Sequence, residues 1–322
     1  MSDDLPQTKL LLFGDAAKQF EQPILERHPD IETITVSPQD VMNVDCSDVH
    51  VAVGWRFMPG MFRAMPNLKW IQSIAVGVED WVYDQTIRPE VVVTNTKGLY
   101  ADEIAEYIMW ALITLSRHFD VVVKNQVKRR WQQIDGTRLS GKTIGIAGLG
   151  HVGRATARLA KSFGMRVVGI CRDTNAVDSD VAVDEVIAIT DLDSVLGRLD
   201  SLAICLPVTN DTRGLFSSDV IAKLKHGAIV VNVARESLVD YSSLLEALRQ
   251  GRLTGAALDV FDKEPLRKRS PLWKGPNLLV TPHVSALSNE YRGKVASLIC
   301  DNLDRLHSGR PLECLVDRAK GY

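Results

Sequence analysis

Neither a long apolar run nor a surplus of one charge marks this sequence. No stretch approaches the roughly 20 consecutive apolar residues that a membrane span requires, which argues against an integral membrane protein. Lysine and arginine number 38 against 40 aspartates and glutamates, a formal net charge of -2. Nothing global therefore attracts the chain to nucleic acid or to an anionic membrane surface, and a small-molecule partner is expected. The five cysteines, Cys46, Cys171, Cys205, Cys300 and Cys314, lack paired spacing. That pattern suggests neither a zinc site nor a disulfide framework; no metal is expected, and a reducing, cytoplasmic compartment is. Met1 to Gln7 is acidic and polar, unlike a secretory or transit leader. There is no internal repeat and no low-complexity tract.

What is present is an ordinary globular composition, with 45% apolar and 24% charged residues over 322 positions, a length that accommodates two domains. Short apolar strands alternate with helical stretches in the first hundred residues: Lys9 to Phe13, Glu32 to Val36, Val49 to Val53, Trp70 to Ser73 and Val91 to Val93. A long helix is expected from Ala101 to Arg117, acidic at its start and basic at its close. The basic segment Lys124 to Arg130, followed by Trp131, reads as a solvated helix face. A second series of strands follows at Thr143 to Ala147, Arg166 to Ile170, Ser201 to Ile204, Ala228 to Asn232, Gly255 to Asp259 and Asn277 to Val280, and a last long helix spans Ser288 to Leu306. The alternation predicts an α/β protein with two doubly wound parallel sheets.

The run Gly148-Leu149-Gly150-His151-Val152-Gly153 is a G-x-G-x-x-G that follows a strand and opens a helix. In that context the first glycine permits a tight turn, the second lets backbone amides approach a pyrophosphate, and the third allows close packing of helix on strand. An NAD-preferring site would end the next strand with Asp or Glu, which grips the ribose 2′-hydroxyl. Cys171 stands there instead. Arg172 follows, with the charge and fork geometry that suit the 2′-phosphate of NADP, so NADP(H) is expected over NAD(H). Asp173 is the alternative, turned toward the ribose.

Three strand ends carry chemically loaded residues: Asn232 to Arg235, Leu258 to Pro265, and Thr281 to His283. Reduction of a 2-keto acid needs a cation for the carboxylate, a proton donor for the carbonyl oxygen, and a partner that keeps the donor charged. Arg235, His283 and Glu264 meet those needs in that order. Each alone has a bland explanation, as a loop ion pair, a turn histidine and a surface carboxylate. Their joint occurrence on successive strand ends of a dinucleotide sheet is what points to hydride transfer.

With these residues in view, the chain resembles the D-isomer-specific 2-hydroxyacid dehydrogenase family over nearly its whole length. The matching pieces are AVGVE (75 to 79), IAEY (104 to 107), TIGIAGLGHVG (143 to 153), LPVTNDT (206 to 212), NVAR (232 to 235), ALDVFDKEPL (257 to 266) and TPH (281 to 283). The resemblance implies Arg235, Glu264 and His283 as the catalytic trio. It places Asp259 and the Val233 carbonyl near the nicotinamide, Pro207 and Thr212 along the cofactor, and the backbone amides of Val76 and Gly77 against the substrate carboxylate. It also implies a flavodoxin-like substrate domain made of residues 1–102 and 287–322, an inserted NAD(P)-binding Rossmann domain at 103–286, closure between the two, and a homodimer.

Two departures from the family pattern stand out. Glu236 occupies a position where the family usually has glycine, which puts catalytic competence in question. The missing acid at Cys171 resembles the NADPH-linked glyoxylate and hydroxypyruvate reductase branch. Glu264 stands where formate dehydrogenases carry glutamine. Glu236 and the basic segment also leave open a second class, a dinucleotide-sensing corepressor-like interaction protein on the same fold.

Overall fold

The computed structural model describes residues 8–41 and 43–321. The polar stretch Met1 to Gln7, read above for its lack of a leader pattern, lies outside them. Contacts divide the chain into two compact units, one of residues up to Leu99 together with those from Ser288 onward, the other Tyr100–Leu287.

The first unit is built on five strands: β1 (Lys9–Phe13), β2 (Glu32–Val36), β3 (Val51–Gly54), β4 (Trp70–Ser73) and β5 (Val92–Thr94). They form one parallel sheet in the order β2-β1-β3-β4-β5, the flavodoxin-like winding. Leu10, Leu11 and Leu12 are all fully buried, although successive strand residues point to opposite faces, so both faces of the sheet are covered. Each such leucine contributes about 1.5–3 kcal/mol of burial. Phe13, Phe57, Phe62 and Trp81 pack together on one side, with Phe57 stacked on Phe13 and edge-on to Trp81. The helix Tyr291–His307 belongs to this unit. The chain after it returns along β5, with Val316 N–H donating to Val93 O and Asn95 N–H to Cys314 O.

The second unit holds seven parallel strands: β6 (Thr143–Ala147), β7 (Arg166–Cys171), β8 (Glu185–Ala188), β9 (Ser201–Ile204), β10 (Ile229–Asn232), β11 (Gly255–Leu258) and β12 (Leu278–Val280). Their order is β12-β11-β10-β9-β6-β7-β8. The winding reverses between β6 and β9, and the crevice beyond the carboxyl ends at such a switch point is where doubly wound sheets take ligands. Strand β8, EVIA, was not anticipated from the sequence; it is a four-residue edge strand, half-buried throughout, and overlaps the short apolar run Val186 to Ile189. The helices of this unit include Ala101–Ser116 and Phe119–Val127, the latter carrying part of the basic segment. On it Val123 and Val127 are exposed, and beyond it Trp131 is 96% exposed, so this face is more apolar than a solvated basic helix. Among the described residues no helix is long and apolar enough to cross a membrane.

The helix His151–Ser162 shows how sequence sets the dinucleotide end of this unit. Its buried positions are small, Gly153, Ala155, Thr156, Ala157 and Ala160, which lets the backbone lie close to the sheet. It stops where Gly164 adopts φ 71, with Gly164 N–H and Met165 N–H returning to Lys161 O and Ala160 O.

Candidate active site

The loop between β6 and this helix is shaped by contacts that only glycine tolerates. Gly148 sits at φ 100, and a Cβ there would lie 2.7 Å from Cys205 O; a Cβ on Gly153 would lie 1.9 Å from Gly148 O. A Cβ on Gly150, by contrast, would meet nothing within 4 Å. The open space therefore lies over the helix N-terminus, at the residue that caps it. No side chain caps that end, and the first turn, which begins with His151 and Val152, contains no acid. Uncapped amides, the positive end of the helix dipole and room above them fit a pyrophosphate. Arg154, not singled out by the sequence pattern, fixes this loop by donating from Nε to Leu149 O at 3.0 Å while pairing with Asp178.

At the end of β7, Cys171 is buried, donates from Sγ to Asp173 O, and its thiol is pushed up by burial and then by the Asp173 charge. Asp173 Oδ1 accepts from Asn175 N–H at 3.0 Å and caps the short turn Thr174–Ala176. Arg172 between them is exposed. After β9, Thr212 is buried, donates to Pro207 O at 2.7 Å and accepts from Thr209 N–H at 2.8 Å. Its hydroxyl thus shapes the loop that carries Pro207.

The three loaded segments leave adjacent strands in register, Asn232 beside Leu258 and Leu258 beside Val280. Parallel neighbours bring their following loops side by side. Asn232, fully buried, accepts from Ala234 N–H and donates to Arg235 O at 2.9 Å, which sets the turn that presents Val233 and Arg235. Asp259, also fully buried, accepts from the Thr281 hydroxyl (2.6 Å), Val284 N–H (2.9 Å) and Ser285 N–H (2.9 Å). Its carboxylate clamps the chain on both sides of His283. The histidine needs that clamp, because it holds φ 54, a left-handed conformation that costs a non-glycine residue roughly 1–3 kcal/mol. Since Thr281 donates its one proton to Asp259, the Tyr107 hydroxyl is the donor in the 2.7 Å contact between them. Burial pushes the Tyr107 phenol up, which keeps it protonated as a donor.

Both carboxylate oxygens of Glu264 lie 3.0 Å from His283 Nδ1, the histidine 35% and the glutamate 17% exposed in their side chains. Glu264 Oε1 also accepts from Phe261 N–H at 3.0 Å. Glu236, questioned above for replacing glycine, meets no backbone obstacle. Among the described residues the non-glycine left-handed positions are His118, Arg129, Asn277, His283 and Cys314, and Glu236 is not one of them. Its Oε2 accepts from Asp262 N–H at 2.7 Å. In the first unit, Val76 and Gly77 follow β4; Asn95 Nδ2 donates to Val76 O, and Ser73 Oγ pins Ala75 at both its N–H and its carbonyl. Among the described residues no group of three or more His, Cys, Asp or Glu side chains is placed to hold a metal ion.

These features define a dinucleotide-binding protein of the doubly wound α/β class. Residues 109–285 match the family model described as D-isomer specific 2-hydroxyacid dehydrogenase, NAD binding domain. A glyoxylate reductase of Thermofilum pendens is 33% identical over 264 residues, 79% of this chain and 76% of that one. Glyoxylate/hydroxypyruvate reductase B of Serratia proteamaculans is 32% identical over 83% of each chain. Among solved structures, an NADPH-dependent glyoxylate/hydroxypyruvate reductase from Sinorhizobium meliloti, in complex with NADP and sulfate, superposes with a TM-score of 0.85 at 29% identity over 98% of this chain and 100% of that one. The chain belongs to the D-isomer specific 2-hydroxyacid dehydrogenase family, and is an NAD(P)-dependent oxidoreductase of that family.

Proposed function

We propose that this enzyme reduces glyoxylate, hydroxypyruvate or a closely related 2-keto acid with NADPH, with Arg235, Glu264 and His283 as its working groups. The observation that carries the reading is the double contact of Glu264 with His283 Nδ1 at the end of a dinucleotide-binding sheet. With Nδ1 committed to the carboxylate, proton exchange with substrate falls to Nε2. Bound reduced nicotinamide supplies the hydride. Arg235 takes the substrate carboxylate in a bidentate pair, His283 gives its Nε2 proton to the carbonyl oxygen, and Glu264 stabilises the imidazolium before the transfer. In the oxidative direction His283 takes the proton back. In the first unit, the family resemblance assigns the backbone amides of Val76 and Gly77 to carboxylate binding.

Arg172 next to Cys171, which stands where an NAD-preferring site carries an acid, supports NADP(H) over NAD(H). Gly148, Gly150 and Gly153, with the first helical residues His151 and Val152, receive the pyrophosphate, while Pro207, Thr212, Val233 and Asp259 line the remainder of the cofactor. Exposed Val123, Val127 and Trp131 support assembly as a homodimer through the dinucleotide-binding unit. Five free cysteines suit a cytoplasmic setting.

The test is a panel of 2-keto acids assayed with NADPH, with the product resolved on a chiral column. D-glycerate from hydroxypyruvate is the expected result. Exclusive formation of the L product, or turnover only with substrates that lack a 2-keto acid, would refute the assignment.

A further inference from the structure

The segment that carries Glu264 is fixed residue by residue, and mostly from one side. Asp259 N–H donates to Asn232 O at 3.1 Å, and the Tyr241 hydroxyl donates to Val260 O at 3.0 Å while accepting from Asn232 Nδ2. Phe261 N–H goes to Glu264 itself, and Asp262 N–H goes to Glu236. Asn232, Glu236 and Tyr241 all belong to the stretch that leaves β10 and bears Arg235. Glu236 is thus the last of three ties between the Arg235 loop and the Glu264 loop, and it holds the amide two residues before Glu264.

The placement is costly. Glu236 is half-buried and lies in the field of two like charges, Asp262 and Glu264. A carboxylate in such surroundings is an expensive way to satisfy one amide that water can reach, and Asp262 is exposed. A role in holding the loop geometry accounts for it.

We propose that Glu236 is a positioning residue of the reaction, a strut that locks the Arg235 and Glu264 loops together and so fixes the carboxylate that holds His283. The inference rests on the trio assigned above. It acts through Glu264 and requires no contact of Glu236 with substrate.

The experiment is a double-mutant cycle on the full-length enzyme, with NADPH and hydroxypyruvate as probes. Glu236→Ala is expected to lower kcat about tenfold, the scale of one charge-assisted hydrogen bond, with both KM values within about twofold of wild type. Glu236→Gln keeps an oxygen for the Asp262 amide and should recover most of that loss. In a Glu264→Gln background, Glu236→Ala should add no further loss. An unchanged kcat in Glu236→Ala, or an equal loss in both backgrounds, overturns the strut. His283→Ala measured alongside separates the two levels. Wild-type turnover in that variant removes the trio and the strut together, whereas its loss combined with a silent Glu236→Ala removes the strut alone.

Discussion

Glu264 reaches His283 with both carboxylate oxygens at 3.0 Å from the same ring nitrogen, so rotating the carboxyl group does not break the pair. Glu264→Gln replaces one oxygen with an NH2 donor and removes the charge that stabilises the imidazolium. Keto-acid reduction should slow in the variant by about 100-fold in kcat, the scale of a positioned acid-base group, with KM for NADPH within about twofold of wild type. Initial rates with NADPH and hydroxypyruvate measure it. An unchanged kcat would separate Glu264 from the proton chemistry.

The left-handed backbone of His283 depends on the acceptors supplied by Asp259. In Asp259→Asn one oxygen becomes a donor that faces donors, whereas Tyr107→Phe deletes only the outermost link of the network. A graded loss of kcat is expected, on the order of 100-fold for Asp259→Asn and severalfold for Tyr107→Phe. Equal effects would contradict the order of the chain.

The glycines of the phosphate loop should separate folding from binding. Gly153→Ala forces a methyl group against the Gly148 carbonyl, so it should lower Tm, at a cost of about 1–3 kcal/mol, and weaken NADPH binding with it. Gly150→Ala places its methyl in open space, where it should leave Tm unchanged yet weaken NADPH binding at least about tenfold. Thermal melts paired with NADPH fluorescence titrations read both quantities.

Arg172 sets the choice of cofactor in this account. Arg172→Ala should raise KM for NADPH about tenfold or more and leave KM for NADH within about twofold, since only the former carries the 2′-phosphate. Parallel rises for the two cofactors would assign Arg172 to something other than phosphate recognition.

Burial, and then the charges of Asp262 and Glu264, hold the Glu236 carboxyl above its ordinary range. A carboxyl raised in the folded state contributes stability that is complete below its unfolded value and lost as pH rises through the folded one. Glu236→Gln should therefore melt higher than wild type at pH 7 to 8, with the gap closing below about pH 4. Scanning calorimetry across that range checks the sign, and a lower Tm for the variant at neutral pH would reverse it.

Much of this molecule was legible in its sequence, because buried parallel strands are written as continuous apolar runs. Thr143 to Ala147 and Ser201 to Ile204 match their strands at both ends. Strand β8 escaped although Val186 to Ile189 is apolar, because so short a run between Asp184-Glu185 and Thr190-Asp191 does not by itself tell a strand from a helix. The pairing of Glu264 with His283 could be anticipated as chemistry, because three loaded strand ends imply one crevice. The Asp259 clamp, the turn set by Asn232 and the reach of Glu236 to Asp262 could not. Each joins side chain to backbone across a loop whose path is fixed only when β10, β11 and β12 are neighbours, and no local periodicity encodes that order. Arg154 was hidden for a similar reason, its partners being the loop carbonyl of Leu149 and distant Asp178.

The most direct measurement is kcat/KM for hydroxypyruvate with NADPH in wild type and in His283→Ala. Wild type should turn over, and the variant should lose at least about 100-fold, the usual contribution of a positioned acid-base group. Equal rates in the two proteins, or a wild type inert toward every 2-keto acid offered, would contradict hydride transfer with His283 as its proton donor.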